Sequence, residues 1–68
     1  MEYVVVLYPR TRDVFIDGDR VGPTNRILYV PRGQHRFDLG APVDYRPPRQ
    51  SANIVNTGPT TPAFVRFS

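Results

Sequence analysis

Prolines and glycines recur so closely along this chain that they restrict its local structure more than any other feature. Eight prolines and five glycines are spread over 68 residues, and no run of eleven residues is free of both. Proline lacks a backbone N–H and glycine loses much conformational entropy on folding, so both residues interrupt helices. The sequence therefore predicts short elements and, at most, a minor share of helix.

Short runs rich in Val, Ile, Tyr and Phe lie between these breakers and predict β-strands. We place the strands at about residues 2–8, 13–17, 20–22, 26–30, 34–39, 51–56 and 62–67. Asp17-Gly18 or Gly18-Asp19 suits a tight hairpin between two of them, and Pro31-Arg32-Gly33 suits another turn. The chain is therefore predicted to be one all-β domain over residues 1–68.

Alternation of apolar and polar residues predicts which side chains face the core. In the second, fifth and last strands the inward residues are Val14, Ile16, His35, Phe37, Leu39, Ala63, Val65 and Phe67. Phe64 breaks the polar side of the last strand, which we interpret as coverage by a loop.

The first strand is apolar on both of its sides, over Tyr3, Val4, Val5, Val6, Leu7 and Tyr8. Such a strand is either covered on both faces or lies at an interface. A chain of this size buries only about 60% of its unfolded surface, and without cysteine it has no disulfide to stabilise it. We therefore predict that these six residues bind a protein partner or a second copy of the chain.

The net charge of +3 comes with nine arginines and no lysine. Arginine binds phosphate through a planar fork, which favours nucleic acid or another polyanion as a partner. The arginines are dispersed among aspartates without a basic run, a pattern that favours compositional bias over a binding surface. An alternative binding surface is retained, made of Arg26, Tyr29, Arg32, Arg36 and Tyr45.

Asp17, Asp19 and Gly22 occupy the first, third and sixth positions of a calcium-loop template. The fifth and twelfth positions, where oxygen ligands are needed, are then Val21 and Leu28. We interpret the stretch as a hairpin corner and predict no metal or other cofactor.

His35 is the only histidine, so a zinc site of ordinary composition is not expected. Its inward position favours a structural role, as a buried neutral imidazole bonded to a loop carbonyl. The two serines, Ser51 and Ser68, lie in no nucleophile elbow, and the glycines form no phosphate loop. The chain is predicted not to be an enzyme.

The order of these motifs resembles the PEGA domain, a small bacterial and archaeal β-domain. The hairpin, two turns and a later Tyr-x-Pro element carry the resemblance, through Ile16, Asp17, Gly18, Gly22, Thr24, Pro31, Gly33, His35, Tyr45 and Pro47. Asn25 stands where the family usually has proline, and the tetrapeptide that names the family is missing.

The resemblance implies a small antiparallel β-sandwich, similar to transthyretin-like (prealbumin-like) accessory domains, and a module without catalytic residues. We expect a structural or protein-protein interaction role, with polyanion binding and carbohydrate binding as alternatives. No run of apolar residues is long enough to span a membrane. The location is expected to be cytoplasmic if the chain is complete, and extracytoplasmic if it is a domain of a longer exported protein.

Overall fold

The computed structural model describes residues 1–68, which form seven β-strands and no helix. The strands are β1 (Glu2–Leu7), β2 (Asp13–Ile16), β3 (Asp19–Pro23), β4 (Ile27–Val30), β5 (Gly33–Asp38), β6 (Gln50–Ile54) and β7 (Ala63–Arg66). Every predicted strand bound lies within two residues of the observed one. The all-β class is confirmed, and no helix long and apolar enough to cross a membrane is found.

The strands form two sheets, a three-stranded sheet in the order β4-β1-β7 and a four-stranded sheet in the order β3-β2-β5-β6. This arrangement agrees with the predicted small β-sandwich. Four of the strand pairings are antiparallel, whereas β1 and β7 run parallel. The parallel pair arises because the chain leaves β6 in one sheet and crosses over before it enters β7 in the other.

One apolar core lies between the sheets and draws residues from both. It comprises Val4, Val6, Val14, Ile16, Leu28, Val30, Phe37, Leu39, Tyr45, Ile54, Val65 and Phe67. The predicted inward residues of β2, β5 and β7 are confirmed, with Ala63 and His35 only half-buried. The loop expected to cover Phe64 is absent, since Phe64 is 63% exposed.

Asp17 and Gly18 form the corner of the β2–β3 hairpin with φ angles of 54° and 89°. Two positive φ values in a two-residue loop are typical of a type I′ turn, for which Asp-Gly is a favoured pair. The Asp17 side chain also accepts a hydrogen bond from the Arg36 backbone N–H at 2.9 Å. The structure thus uses this aspartate to join the turn to β5.

Thr24 and Asn25 connect the β3–β4 turn to the chain that leaves β1. The Thr24 hydroxyl is buried, accepts from Arg12 N at 3.0 Å and donates to Arg10 O at 2.8 Å. Asn25 has φ of 65°, and its side-chain amide exchanges two hydrogen bonds with the Tyr8 backbone. Proline, the residue that the PEGA pattern usually has at this position, cannot adopt this φ.

Tyr45 anchors the irregular segment between β5 and β6. Its hydroxyl accepts from Leu39 N at 3.1 Å and donates to Gly40 O at 2.9 Å, while its ring packs edge-on against Phe67. The Arg12 guanidinium lies 5.3 Å from the ring centroid. Because its aromatic face and its hydroxyl are both engaged, Tyr45 is a packing residue.

Candidate interaction face

The residues predicted to form the interaction strand divide between the two sides of β1. Val4 and Val6 belong to the core, and Tyr8 packs against it just beyond the strand. Tyr3, Val5 and Leu7 alternate with them and point away from the core. Moreover, β1 is the central strand of its sheet, paired with β4 and β7 along its two edges. Of the predicted six-residue interaction strand, only the outward side chains are therefore open to a partner, because both backbone edges of β1 are paired within the sheet.

The outward side of the three-stranded sheet forms one continuous apolar surface, which we call the outer apolar face. It is made of Tyr3, Val5, Leu7, Ile27, Tyr29 and Phe64. The strand register brings these residues together, because Tyr3 lies opposite Tyr29 and Val5 lies between Ile27 and Phe64. The Tyr3 and Tyr29 rings meet edge to face, with centroids 5.4 Å apart.

Exposure increases from the centre of the outer apolar face toward its sides. Val5 is only 9% exposed, whereas Ile27, Tyr29 and Phe64 are 40%, 57% and 63% exposed. Exposed aromatic side chains of this kind are common at binding surfaces, since they have large apolar area and few rotatable bonds. The half of the first strand's apolar surface that the core leaves uncovered is therefore part of a wider patch.

The charges near the outer apolar face are almost all positive. Arg66 lies opposite Leu7 on β7, and Arg26 and Arg32 lie at the two ends of β4. None of these three arginines forms a salt bridge. The five aspartates all lie on the four-stranded sheet or in its connections, so the face itself has no aspartate.

Glu2 is the one acidic residue in the strands of this sheet, and its carboxylate is engaged within the protein. Its Oε1 accepts from the Thr57 backbone N–H at 2.9 Å and from the Thr57 hydroxyl at 2.5 Å. These two hydrogen bonds lower the pKa of Glu2, because they stabilise the ionised form. The hydrogen bonds hold β1 to the β6–β7 connection.

Two clefts open beside Arg66, near the end of β1. The smaller, of about 440 Å³, is lined by residues that include Leu7, Pro9 and Phe67. The larger, of about 650 Å³, is lined by Val43, Pro47 and other residues of the β5–β6 segment. Arg66 lines both clefts, and Leu7 of the outer apolar face lines the smaller one.

The residues of the predicted polyanion surface do not come together. Tyr45 is buried at 4% exposure, which removes it as a stacking platform, and this part of the prediction is wrong. Arg36 lies on β5 in the four-stranded sheet, whereas Tyr29 lies on β4 in the other sheet. Only Arg26, Tyr29 and Arg32 share one region, around β4.

His35 connects the β2–β3 turn to the β4–β5 turn, which joins the two sheets. Nδ1 lies 2.6 Å from Oδ2 of Asp17, and Nε2 lies 2.6 Å from the carbonyl oxygen of Pro31. A carboxylate and a carbonyl both accept, so this geometry favours the imidazolium form, in which both ring nitrogens donate. The bonds to Asp17 and Pro31 raise the pKa of His35, and the bond to His35 lowers the pKa of Asp17.

The predicted carbonyl bond of His35 is present in the structure, the residue is half-buried, and its raised pKa favours the charged ring over the predicted neutral one. The other motif residues also have structural positions. Ile16 is in the core, Gly22 packs on Leu28, Pro31 and Gly33 lie at the β4–β5 turn, and Pro47 is exposed at the larger cleft. None of these residues contributes to the outer apolar face.

Sequence analysis missed Ile27 and Phe64 as members of the candidate site. The signal was present in the run from Ile27 to Val30, which is apolar on both sides, as β1 is. Phe64 was a second signal, since it interrupts the polar side of β7. Phe64 is predicted from sequence to be covered by a loop and Ile27 only to lie in a strand, because their proximity to β1 depends on strand order.

No protein-family model matches the chain, and no curated protein or solved structure shows significant similarity to it. The resemblance to the PEGA domain therefore stays a prediction that rests on its motif residues.

Proposed function

We propose that this chain is a non-enzymatic interaction module that binds another protein through its outer apolar face. The observation that carries the proposal is the exposure of Ile27, Tyr29 and Phe64 on one side of a sheet whose other side forms the core. Covering a large apolar side chain stabilises a complex by roughly 1.5–3 kcal/mol when burial is complete. A few such residues supply most of the binding energy of a typical interface.

A pair of matched variants tests the proposal. Ile27 and Val21 are both β-branched strand residues, with exposures of 40% and 39%, but Val21 lies on β3 in the other sheet. Ile27→Ser is expected to weaken partner binding by about ten-fold, and Val21→Ser to leave it unchanged. The readout is a pull-down compared across the three proteins, with light scattering to detect self-association.

A strictly monomeric protein that retains no protein partner would contradict the proposal. Equal losses in the Ile27 and Val21 variants would also contradict it, because the two substitutions remove similar apolar area from different sheets.

Polyanion binding is the second candidate, supported by the unpaired Arg26 and Arg32 beside the exposed Tyr29 ring. It predicts binding to DNA or RNA that weakens with salt. A titration at low salt without a detectable complex would remove it. Carbohydrate binding by Tyr29 and Phe64 is a further alternative, which a glycan array without hits would remove.

Membership of the PEGA family is also proposed. It is supported by the structural positions of the motif residues, above all the Asp17-Gly18 hairpin corner and the hydrogen bonds of His35. A family model built from homologues of this chain would test it, by showing whether the same motif positions recur.

A further inference from the structure

The backbone of β4 has one edge without a partner strand, because β4 ends the three-stranded sheet. The hydrogen bonds of β1 show which β4 residues face that edge. Leu7 O accepts from Phe67 N on the β7 side, and Val6 O accepts from Asn25 N on the β4 side. Even-numbered β1 residues therefore direct their backbone groups toward β4, since successive residues of a strand alternate.

Leu28 and Val30 lie opposite Val4 and Glu2, so their backbone groups are the ones that pair with β1. The N–H and C=O groups of Ile27 and Tyr29 consequently point to the open edge. The same two residues direct exposed side chains onto the outer apolar face. A strand placed on this edge would gain backbone hydrogen bonds and apolar side-chain contacts from the same pair of residues.

The other strand edges are less suited to a partner strand. The edge strand β3 contains Pro23 and pairs with β2 through a register shift. At β7, Arg46 exchanges two backbone hydrogen bonds with Ser68, and the Gln50 side chain donates to Arg66 O. The exposed residues of β6 are the polar Ser51 and Asn53. Proline, a bulge and cover by other groups are the means by which proteins protect their edges.

We propose that an extended segment of another protein adds as a strand to the open edge of β4, with apolar side chains over Ile27 and Tyr29 and carboxylates near Arg26 and Arg32. The inference rests on the proposed protein-binding function and specifies how the partner binds. Strand addition takes its affinity from main-chain hydrogen bonds and its specificity from alternate side chains.

Charge and area favour this partner over a second copy of the chain. Antiparallel pairing of β4 with itself would bring Arg26 of one copy toward Arg32 of the other at both ends, which is repulsive. Three strands of four to six residues cover only roughly 14 by 20 Å, well below the ~800 Å² per partner of a standard interface. A short segment with acidic ends avoids the repulsion between arginines and needs only this small contact area.

Two synthetic heptapeptides test the inference. Both alternate valine and threonine, but one ends in aspartates and the other in lysines. Saturation with the aspartate-ended peptide should slow amide exchange at Ile27 and Tyr29 by about ten-fold or more, while Leu28 and Val30 stay protected throughout. At low salt the aspartate-ended peptide should bind about two- to ten-fold more tightly than the lysine-ended peptide. This difference in affinity should vanish at high salt.

Tyr29→Pro and Tyr29→Ala form a matched pair, because both lose the ring and only the proline variant loses the N–H at the open edge. Tyr29→Pro should bind about five-fold more weakly than Tyr29→Ala, the value of one hydrogen bond. The amide-exchange measurement on the unmodified protein decides the matter if the proline variant does not fold.

Failure of this inference is distinguishable from failure of the proposed function. NMR chemical-shift changes at Tyr3 and Phe64 on peptide addition, without slower amide exchange at Ile27 and Tyr29, would overturn strand addition. Binding through the outer apolar face would remain intact. Absence of binding by both peptides, or equal binding of the two at low salt, would also overturn it, whereas the Ile27→Ser and Val21→Ser comparison tests the function separately.

Discussion

At the scale of single residues, two polar side chains join turns that are distant in sequence. His35 joins the β2–β3 and β4–β5 turns, and Thr24 joins the β3–β4 turn to the segment before β2. Both residues were identified from sequence as motif positions. Their partners were not, because a motif indicates that a residue is structural without indicating which atoms it contacts.

The charged His35 makes the stability of the domain depend on pH. Its pKa is raised above the ordinary 6.5, so its contribution is fully present below that pH and is lost as pH rises through the folded-state pKa. The pKa of Asp17 is lowered below 3.8, so its contribution is present above that pH and is lost as pH falls through the folded-state pKa. We therefore expect the ion pair to stabilise the fold most between these two ordinary values.

Thermal unfolding at a series of pH values, followed by circular dichroism, measures this effect. The wild-type midpoint should fall as pH rises above 6.5, and His35→Gln should lose that decline because its side chain does not titrate. An NMR titration that places the pKa of His35 at or below the ordinary value would contradict the assignment.

Thr24 supplies a hydroxyl that satisfies two backbone groups of the β1–β2 connection. Thr24→Val keeps the shape but leaves Arg12 N and Arg10 O without this partner, at a cost of about 1–3 kcal/mol. The melting temperature should fall by about 4–8 °C for each kcal/mol. Thr24→Ser retains the hydroxyl and serves as the control; equal losses in both variants would assign the effect to the methyl group.

At the scale of elements, close packing of the β2–β3 hairpin against β4 depends on a glycine. A Cβ built at Gly22 would lie 2.6 Å from Cδ2 of Leu28, a side chain that is itself in the core. The sequence motif predicts Gly22 in a turn. The structure places it inside β3, where the absence of a side chain allows the strand to approach Leu28.

Gly22→Ala should therefore destabilise the domain by about 1–3 kcal/mol, the usual cost of overpacking a core. Chemical denaturation of the single variants and of Gly22→Ala combined with Leu28→Ala measures the coupling. The double variant should lose less free energy of unfolding than the two single variants lose in sum. The reason is that truncation of Leu28 makes room for the methyl group added at Gly22. Strict additivity would show that Leu28 is not the obstacle.

At the scale of the whole molecule, one core supports a chain with a small stability margin. A domain of 68 residues is expected to have an unfolding free energy of roughly 3–10 kcal/mol. Removal of a large, fully buried side chain therefore lowers the free energy of unfolding by a substantial fraction of its value. The core and the outer apolar face should respond very differently to the same substitution.

Phe37 and Phe64 allow that comparison, because Phe37 is 0% exposed in the core and Phe64 is 63% exposed on the outer apolar face. Phe37→Ala should cost about 3–5 kcal/mol and leave much of the protein unfolded at 25 °C. Phe64→Ala should stay within about 0.5 kcal/mol of wild type, as expected for a surface change. Urea unfolding of both variants measures the difference, and a large loss for Phe64→Ala would mean that this ring supports the fold.

Local sequence patterns predict the strands, their inward sides and the hairpin at Asp17-Gly18, because breakers, alternation and turn chemistry act over a few neighbouring residues. Only the tertiary structure decided that Val5, Ile27 and Phe64 lie side by side, that β1 has no free edge, and that Tyr45 is buried. These outcomes depend on strand order and on which sheet each strand joins. Strand order and sheet membership depend on contacts between residues far apart in the chain. A local sequence pattern does not predict the free energies of those contacts.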